Sequence, residues 1–287
     1  MGDVSLTRHQ LKELLDEHGL RPSRALGQNF VVDANTVRRI ARLSGVGPGD
    51  AVVEIGAGLG ALTLALAETG ASVTAVEIDR RLVPLLRSQV AHRGVRVVEA
   101  DALTLDWREL LDVVPPGAHG PSWVMVANLP YNVAVPVVLR ALDEATGVQS
   151  MLVMVQREVG ERLAAGPGSK AYGAVSVKVA YHATARVVGR VPASVFVPRP
   201  AVESVLVRIE RRAAVAVDPA VVPAERLFEL VRAGFAHRRK MLRQSLAGVV
   251  PPEAFTAAGI DPEARAENLG VEDWGRLAAC APGRPAS

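Results

Sequence analysis

Four consecutive residues, Asn128-Leu129-Pro130-Tyr131, could hold an exocyclic amine. The Asn128 side-chain oxygen can accept one amine hydrogen, and the Leu129 carbonyl, freed by the following proline, can accept another. Tyr131 can stack on the ring that carries the amine. The apolar run Trp123 to Ala127 reads as a buried strand that stops at this tetrad. In open α/β sheets, ligands bind beyond the carboxyl ends of the strands. Asn and Pro also build ordinary turns, so the tetrad alone does not decide between a site and a turn.

The elements before it supply the rest of a site. Ala51 to Ile55 reads as a strand running into Glu54-Ile-Gly-Ala-Gly-Leu-Gly60 and then a helix through Glu68. Strand, glycine-rich turn and helix form the nucleotide-binding start of a doubly wound sheet, with glycines admitting a ligand to the backbone and helix N–H groups facing it. A second strand, Val73 to Val76, ends in Glu77, about 20 residues on, where a ribose-binding acid belongs. A third, Val95 to Val98, leads to Glu99-Ala-Asp101-Ala102. Four strands thus each deliver a polar group to one sheet edge: the glycine turn, Glu77, Asp101 and Asn128.

Further elements follow from periodicity. Ser5 to His18 reads as an amphipathic helix, and Asp33 as the N-cap of a helix over Ala34 to Leu43. The loop between them carries Arg21, Arg24, Gln28, Asn29 and one anchoring aromatic, Phe30. Val133 to Leu142 is expected to be helical, Met151 to Val155 the fifth strand, and Gln156 to about Ala164 a helix. Val175 to Tyr181 and Val202 to Ile209 alternate and read as strands six and seven. Between them Val191 to Pro200 is proline-stiffened, and Phe196 there suits a stacking platform; the alternative is a hydrophobic plug. Residues 211–222 read as a linker. Helices are expected over Glu225 to Phe235, His237 to Leu246, Pro252 to Ala258 and Val271 to Ala279, and the tail from Ala281 to Ser287 as disordered. Arg232 to Arg243 holds five Lys/Arg and no carboxylate, including Arg238, Arg239, Lys240 and Arg243, which suits either a solvated face or a phosphate-backbone contact.

Composition bounds the class. The 287 residues are 49% hydrophobic, enough for one large domain and a small one. The expected division is 1–210, a linker over 211–222 and a helical domain over 223–287. Net charge is +3, which permits a nucleic-acid partner without requiring one. The single cysteine, Cys280, excludes an internal disulfide and a cysteine-based zinc site and fits a reducing cytosol. The polar stretch Met1 to Glu17 is unlike a signal peptide, and no apolar run reaches the ~18 residues of a membrane span.

The Gly-x-Gly-x-Gly spacing resembles the S-adenosylmethionine (SAM) loop of class I methyltransferases. The tetrad resembles the active sites of N6-adenine methyltransferases. Gly27-Gln-Asn-Phe30, Val53 to Gly60, Val76-Glu-Ile-Asp79, Asn128 to Asn132, Val195 to Ser204 and Phe235 to Leu242 together resemble the KsgA/RsmA family of small-subunit rRNA adenine N6-dimethyltransferases, in the family's order. Val31 and Met241 depart conservatively from the residues usual there, Leu and Thr.

The resemblance implies a Rossmann-like, seven-stranded methyltransferase sheet with a small C-terminal helical domain. It implies SAM contacts at Asn29, Val31, Gly56, Gly58, Glu77, Ile78, Asp101, Ala102 and Asn128. The target adenine falls to Asn128, Leu129, Pro130, Tyr131 and Phe196, with Tyr131 and Phe196 sandwiching the flipped base. RNA contacts fall to Arg199, Arg238, Arg239, Lys240 and Arg243, and no metal is expected. The implied function is dimethylation of two adjacent adenosines near the 3′ end of 16S rRNA, on the immature small subunit, by a cytoplasmic monomer that meets no membrane. Competing expectations are an Erm-type 23S rRNA methyltransferase, a non-catalytic RNA-binding assembly factor and, least favoured by the glycine spacing, a dehydrogenase.

Overall fold

A computed structural model describes residues 6–113 and 122–281. In chain order the elements begin with α1 (Arg8–Glu17), β1 (Phe30–Val31), α2 (Ala34–Ser44), β2 (Ala51–Ile55), α3 (Ala61–Ala67), β3 (Ser72–Glu77), α4 (Val83–Val90) and β4 (Arg96–Glu99). Next come α5 (Trp107–Asp112), β5 (Trp123–Asn128), α6 (Ala134–Glu144), β6 (Val148–Gln156), α7 (Arg157–Leu163), α8 (Ala174–His182) and β7 (Ala183–Val191). The chain continues through β8 (Phe196–Val197), β9 (Ser204–Arg211), α9 (Ala224–Ala236), α10 (Leu242–Ser245), α11 (Pro252–Ala258) and α12 (Val271–Cys280).

Two compact units emerge. One gathers the described residues of Met1–Gly160 with Val187–Glu210, and the other Glu161–Arg186 with those of Arg211–Ser287. The sequence reading kept 1–210 together, whereas 161–186 group with the second unit. Residues 211–222, expected as a linker, lie against that unit: Arg212 and Ala216 donate backbone bonds to the carbonyls of His182 and Tyr181, and Val222 is buried.

The main sheet has seven strands in the order β4-β3-β2-β5-β6-β9-β7. β4, β3, β2, β5 and β6 are parallel, and β9 joins β6 antiparallel. All five residues of β2 are buried, as expected of a parallel strand covered on both faces. From β2 the sheet extends to β3 and β4 on one side and to β5 on the other. This change of direction opens a crevice beyond the carboxyl ends of β2 and β5. The expected N-cap is formed, with the Asp33 carboxylate accepting from the Thr36 N–H at 2.6 Å.

Three expectations need correction. Residues 175–181 are not a strand but lie within α8. Val177 and Tyr181, one helical turn apart, enter the core of the second unit, and Ser176 accepts from the Gly173 N–H at the start of the helix. A short apolar run does not separate strand from helix by periodicity alone. The seventh strand is β7, hidden from a search for alternation because its middle residues are largely exposed. Residues 237–246 are not one helix. α9 ends at Ala236, a turn closes from the Lys240 N–H to the His237 carbonyl, and Met241 bridges Arg265, leaving only the short α10. A tertiary bridge here overrides helix propensity. Third, Phe196 is no stacking platform. It is 1% exposed and packs among Val31, Val37, Val191 and Leu206 while pairing with Val31 across β1 and β8. The tail beyond Ala281 lies outside the described residues.

Candidate active site

Each expected group arrives at the crevice by a strand end. After β2, Gly56 and Gly58 adopt φ of 76° and 58°, conformations that L side chains rarely take. A Cβ on Gly56 would lie 3.5 Å from the Asn128 carbonyl, so the glycine turn and the tetrad are immediate neighbours. A Cβ on Gly58 would meet the Phe30 ring at 3.3 Å.

Glu77 at the end of β3 is buried and held by backbone. Its Oε2 accepts the Gly58 N–H at 2.7 Å and its Oε1 the Asp79 N–H at 2.8 Å. Burial pushes its pKa up, and these bonds work against the shift. Asp79 behind it takes the Arg81 guanidinium in a two-pronged pair, Nε to Oδ1 at 2.9 Å and Nη2 to Oδ2 at 2.7 Å. That pair, with the Gln28 bond described next, pulls the Asp79 carboxyl down to about 2 despite burial.

The loop before β1 is laced to this acid and to the tetrad. Gln28 donates Nε2–H to Asp79 Oδ2 at 3.0 Å and accepts from the Ser23 N–H at 2.8 Å. Gly27 lies so close to the tetrad that a Cβ there would come within 2.9 Å of Pro130 Cβ. Asn128 donates its Nδ2–H to the Asn29 carbonyl at 3.2 Å. That bond fixes the amide, and the Asn128 side-chain oxygen accepts nothing from the described residues. Leu129 donates its N–H to Met154, which ties the tetrad to β6. Half-buried Tyr131 carries its hydroxyl 3.5 Å from buried Ser204 Oγ. Burial raises the Tyr131 pKa, so it stays a neutral phenol.

One cavity is lined by Asn29, Val31, Gly56, Gly58, Glu77, Ile78 and all four tetrad residues. A second is lined by Asp101, Ala102 and Leu103, and the two share Leu26, Gly56, Ile78, Leu129 and Pro130. The Asp101 carboxylate is set by the Leu103 N–H at 2.8 Å. Ten of the expected residues therefore line the first cavity, and Asp101 and Ala102 line its neighbour. Phe196 and exposed Arg199 line neither. Sequence reasoning assigned no site role to Glu54, Gln28, Phe30 or Asp79, although the quoted motifs contain them. For Glu54 a signal existed: one carboxylate inside an otherwise apolar strand, a residue type almost never fully buried without a partner.

In the second unit the basic stretch is not free of acids. Arg238 pairs with Glu267 at 2.7 Å and donates to the Lys170 carbonyl, and Arg243 pairs with Glu263 at 3.2 Å. Arg239 and Lys240 are exposed and have no ion-pair partner among the described residues. Among those residues, no helix is long and apolar enough to cross a membrane.

Residues 20–281 match the family model described as ribosomal RNA adenine dimethylase. The chain is 47% identical to ribosomal RNA small subunit methyltransferase A of Kineococcus radiotolerans, covering 97% of this chain and 92% of that protein. It is 50% identical to the protein of the same name from Cutibacterium acnes, covering 93% and 91%. Among solved structures it is similar to the 23S rRNA methyltransferase ErmE (TM-score 0.67, 27% identity, 88% of this chain and 98% of that one). A dimethyladenosine transferase from Plasmodium falciparum shares the fold (TM-score 0.70, 22% identity, 86% and 95%).

Proposed function

The chain belongs to the ribosomal RNA adenine dimethylase family, and from that membership and the geometry of its site we propose that it is a SAM-dependent rRNA methyltransferase that dimethylates N6 of two adjacent adenosines near the 3′ end of 16S rRNA. Its substrate is the immature small ribosomal subunit, and it works as a cytoplasmic monomer. The observation that carries the reading is the Asn128 amide, fixed by the Asn29 carbonyl so that its oxygen remains an acceptor beside the glycine turn.

The residues fit SAM. The turn at Gly56 and Gly58 leaves backbone open to a close approach, and Glu77 is pinned by two N–H groups with lone pairs to spare for ribose hydroxyls. Asp101 and Ile78 line the cavity suited to an adenine, with the carboxylate available to its amine. When bound, SAM supplies an electrophilic methyl on a sulfonium, a leaving group that needs no protonation. The protein's task is therefore to position and polarise the amine. Adenine N6 is a poor nucleophile because its lone pair is delocalised into the ring. Accepting its hydrogens at Asn128 Oδ1 and the Leu129 carbonyl favours a pyramidal nitrogen with the lone pair freed for attack. Tyr131 stacks on the base. No side chain at the tetrad is placed as a general base, and the proton leaves to water. After the first transfer the amine offers one hydrogen, and a single acceptor suffices to hold it.

Exposed Arg239 and Lys240 suit phosphate contacts, which position an RNA without reading its sequence. The small-subunit assignment is favoured over 23S rRNA by identities of 47–50% to small-subunit enzymes, against 27% to ErmE. The test is mass spectrometry of 16S and 23S rRNA nucleosides after incubating immature small subunits and immature large subunits with protein and SAM. Dimethyladenosine in 16S rRNA is expected. Methylation confined to 23S rRNA would overturn the assignment.

A further inference from the structure

Arg140 on α6 bears on the cofactor site without lining it. The loop after β4 folds back onto Asp101. The Asp101 carbonyl accepts the Thr104 and Leu105 N–H groups at 3.0 and 2.8 Å, and its Oδ1 accepts the Leu103 N–H at 2.8 Å. Asp101, Ala102 and Leu103 line one cavity together with Val133 and Val137, from the start of α6. Arg140 lies three residues beyond Val137, on the same side of that helix. Its guanidinium ties α6 to the loop: Nη1–H donates to the Ala102 carbonyl at 3.1 Å and Nη2–H to the Leu105 carbonyl at 2.7 Å. Glu144, one turn on, holds the guanidinium in place, with Nε–H donating to its Oε1 at 2.9 Å and Nη2 lying 2.8 Å from its Oε2. A planar fork with donors in fixed directions locks two carbonyls at once, which a single ammonium does not. The helix is joined in turn to the tetrad, since the Val133 N–H donates to the Pro130 carbonyl at 3.1 Å.

We propose that Arg140 is a positioning residue that gives the cofactor site its selectivity for adenine. The proposal rests on the SAM reading, in which Asp101 accepts the amine of the cofactor's adenine. Arg140 touches no ligand and acts through Asp101. By pinning the Ala102 and Leu105 carbonyls, which flank Leu103 in the chain, it fixes the backbone that aims the Asp101 carboxylate. A hydrogen bond weakens steeply as it bends, so a carboxylate held in one direction separates a ring that offers an amine from one that presents a carbonyl. Hypoxanthine is the second kind of ring: its oxygen meets the carboxylate with no hydrogen between them. A loop released from α6 lets the carboxylate turn aside. The bond to the amine and the penalty against the carbonyl are then lost together.

Calorimetry of the full chain compares S-adenosylhomocysteine with S-inosylhomocysteine, which differ only in the purine. Ribose and amino-acid arm are common to both, so a general loosening of the site weakens both ligands and cancels in their ratio. The parent should prefer the adenine ligand roughly 10- to 100-fold, the scale of one hydrogen bond to a charged group. Arg140→Met keeps an apolar stem on the helix, removes every donor and should fold, which a thermal melt checks. It should shrink the preference at least ~5-fold. Arg140→Gln, with a donor for one carbonyl only, should fall between the two. Asp101→Ala should abolish the preference, and adding Arg140→Met to it should change the ratio no further, because the brace acts through that carboxylate. A parental preference in Arg140→Met, or in Arg140→Gln should the first variant not fold, would overturn the brace. So would a further change of the ratio by Arg140→Met in the Asp101→Ala background. Equal binding of the two ligands by the parent would overturn the brace and the role of Asp101 while leaving the SAM reading standing. Absence of S-adenosylhomocysteine binding to the parent would overturn both.

Discussion

Asn128→Ala separates the fold from the chemistry. In the structure the Asn128 side chain makes one bond, to the Asn29 carbonyl at 3.2 Å, at a partly exposed strand end. Losing it costs roughly 0.5–1.5 kcal/mol of stability. Removing a preorganised hydrogen-bonding group from reacting atoms costs about 2.7–4 kcal/mol, on the order of 100- to 1,000-fold in rate. The variant should therefore fold and bind RNA, whose affinity comes mostly from phosphate contacts, yet transfer methyl at least ~100-fold more slowly. The assay is single-turnover transfer of labelled methyl from saturating SAM to immature small subunits, with subunit binding measured in parallel. Asn128→Asp sharpens the argument: it keeps an acceptor but loses the N–H that fixes the amide, leaving a carboxylate against the Asn29 carbonyl. It should be slow as well. Near-parental transfer by both variants would return the tetrad to an ordinary turn.

Other outcomes follow from the same geometry. Glu77→Ala should weaken SAM binding by roughly 1.5–3 kcal/mol in calorimetry, since it removes a charge-assisted acceptor and frees the Gly58 N–H; unchanged affinity would mark Glu77 as a structural acid only. Gly58→Val should be worse, because the position has φ 58° and the side chain would meet the Phe30 ring. Replacing Arg239 and Lys240 together with Ala should flatten the log–log salt dependence of RNA binding by roughly 1.5. Arg238→Ala instead breaks the Glu267 pair, at a cost of about 1 kcal/mol or less in stability; coincident salt slopes for parent and double variant would remove this surface from the interface. Without ligand, the raised Glu54 pKa favours the protonated folded state, so its contribution to stability is lost as pH rises from about 4.5 to about 8. Thermal melts should show a parent that weakens over that window relative to Glu54→Gln, and parallel curves would argue against a buried acid.

Local chemistry carried much of this protein in its sequence. The strand–glycine-turn–helix unit, the acids at the ends of β3 and beyond β4, and the Asn-Leu-Pro-Tyr tetrad were legible because each is a short segment whose function depends on residue type and spacing. The Asp33 cap was legible for the same reason. What the sequence could not decide depended on partners distant in the chain. Alternation suggested a strand at 175–181, but packing of Val177 and Tyr181 into a helical core made it α8, and the seventh strand fell to a segment with little pattern. Phe196 looked like a free aromatic between prolines until pairing of β8 with β1 buried it. The run of cations without local acids acquired Glu263 and Glu267 from residues about 20 to 30 positions away. Glu54 was visible as a letter, but only burial beside Glu77 in a cavity lined by no Lys or Arg raised its pKa. Periodicity and motif report what a segment can do alone; desolvation and ion pairing depend on which other segments enclose it, and only the folded chain supplies those.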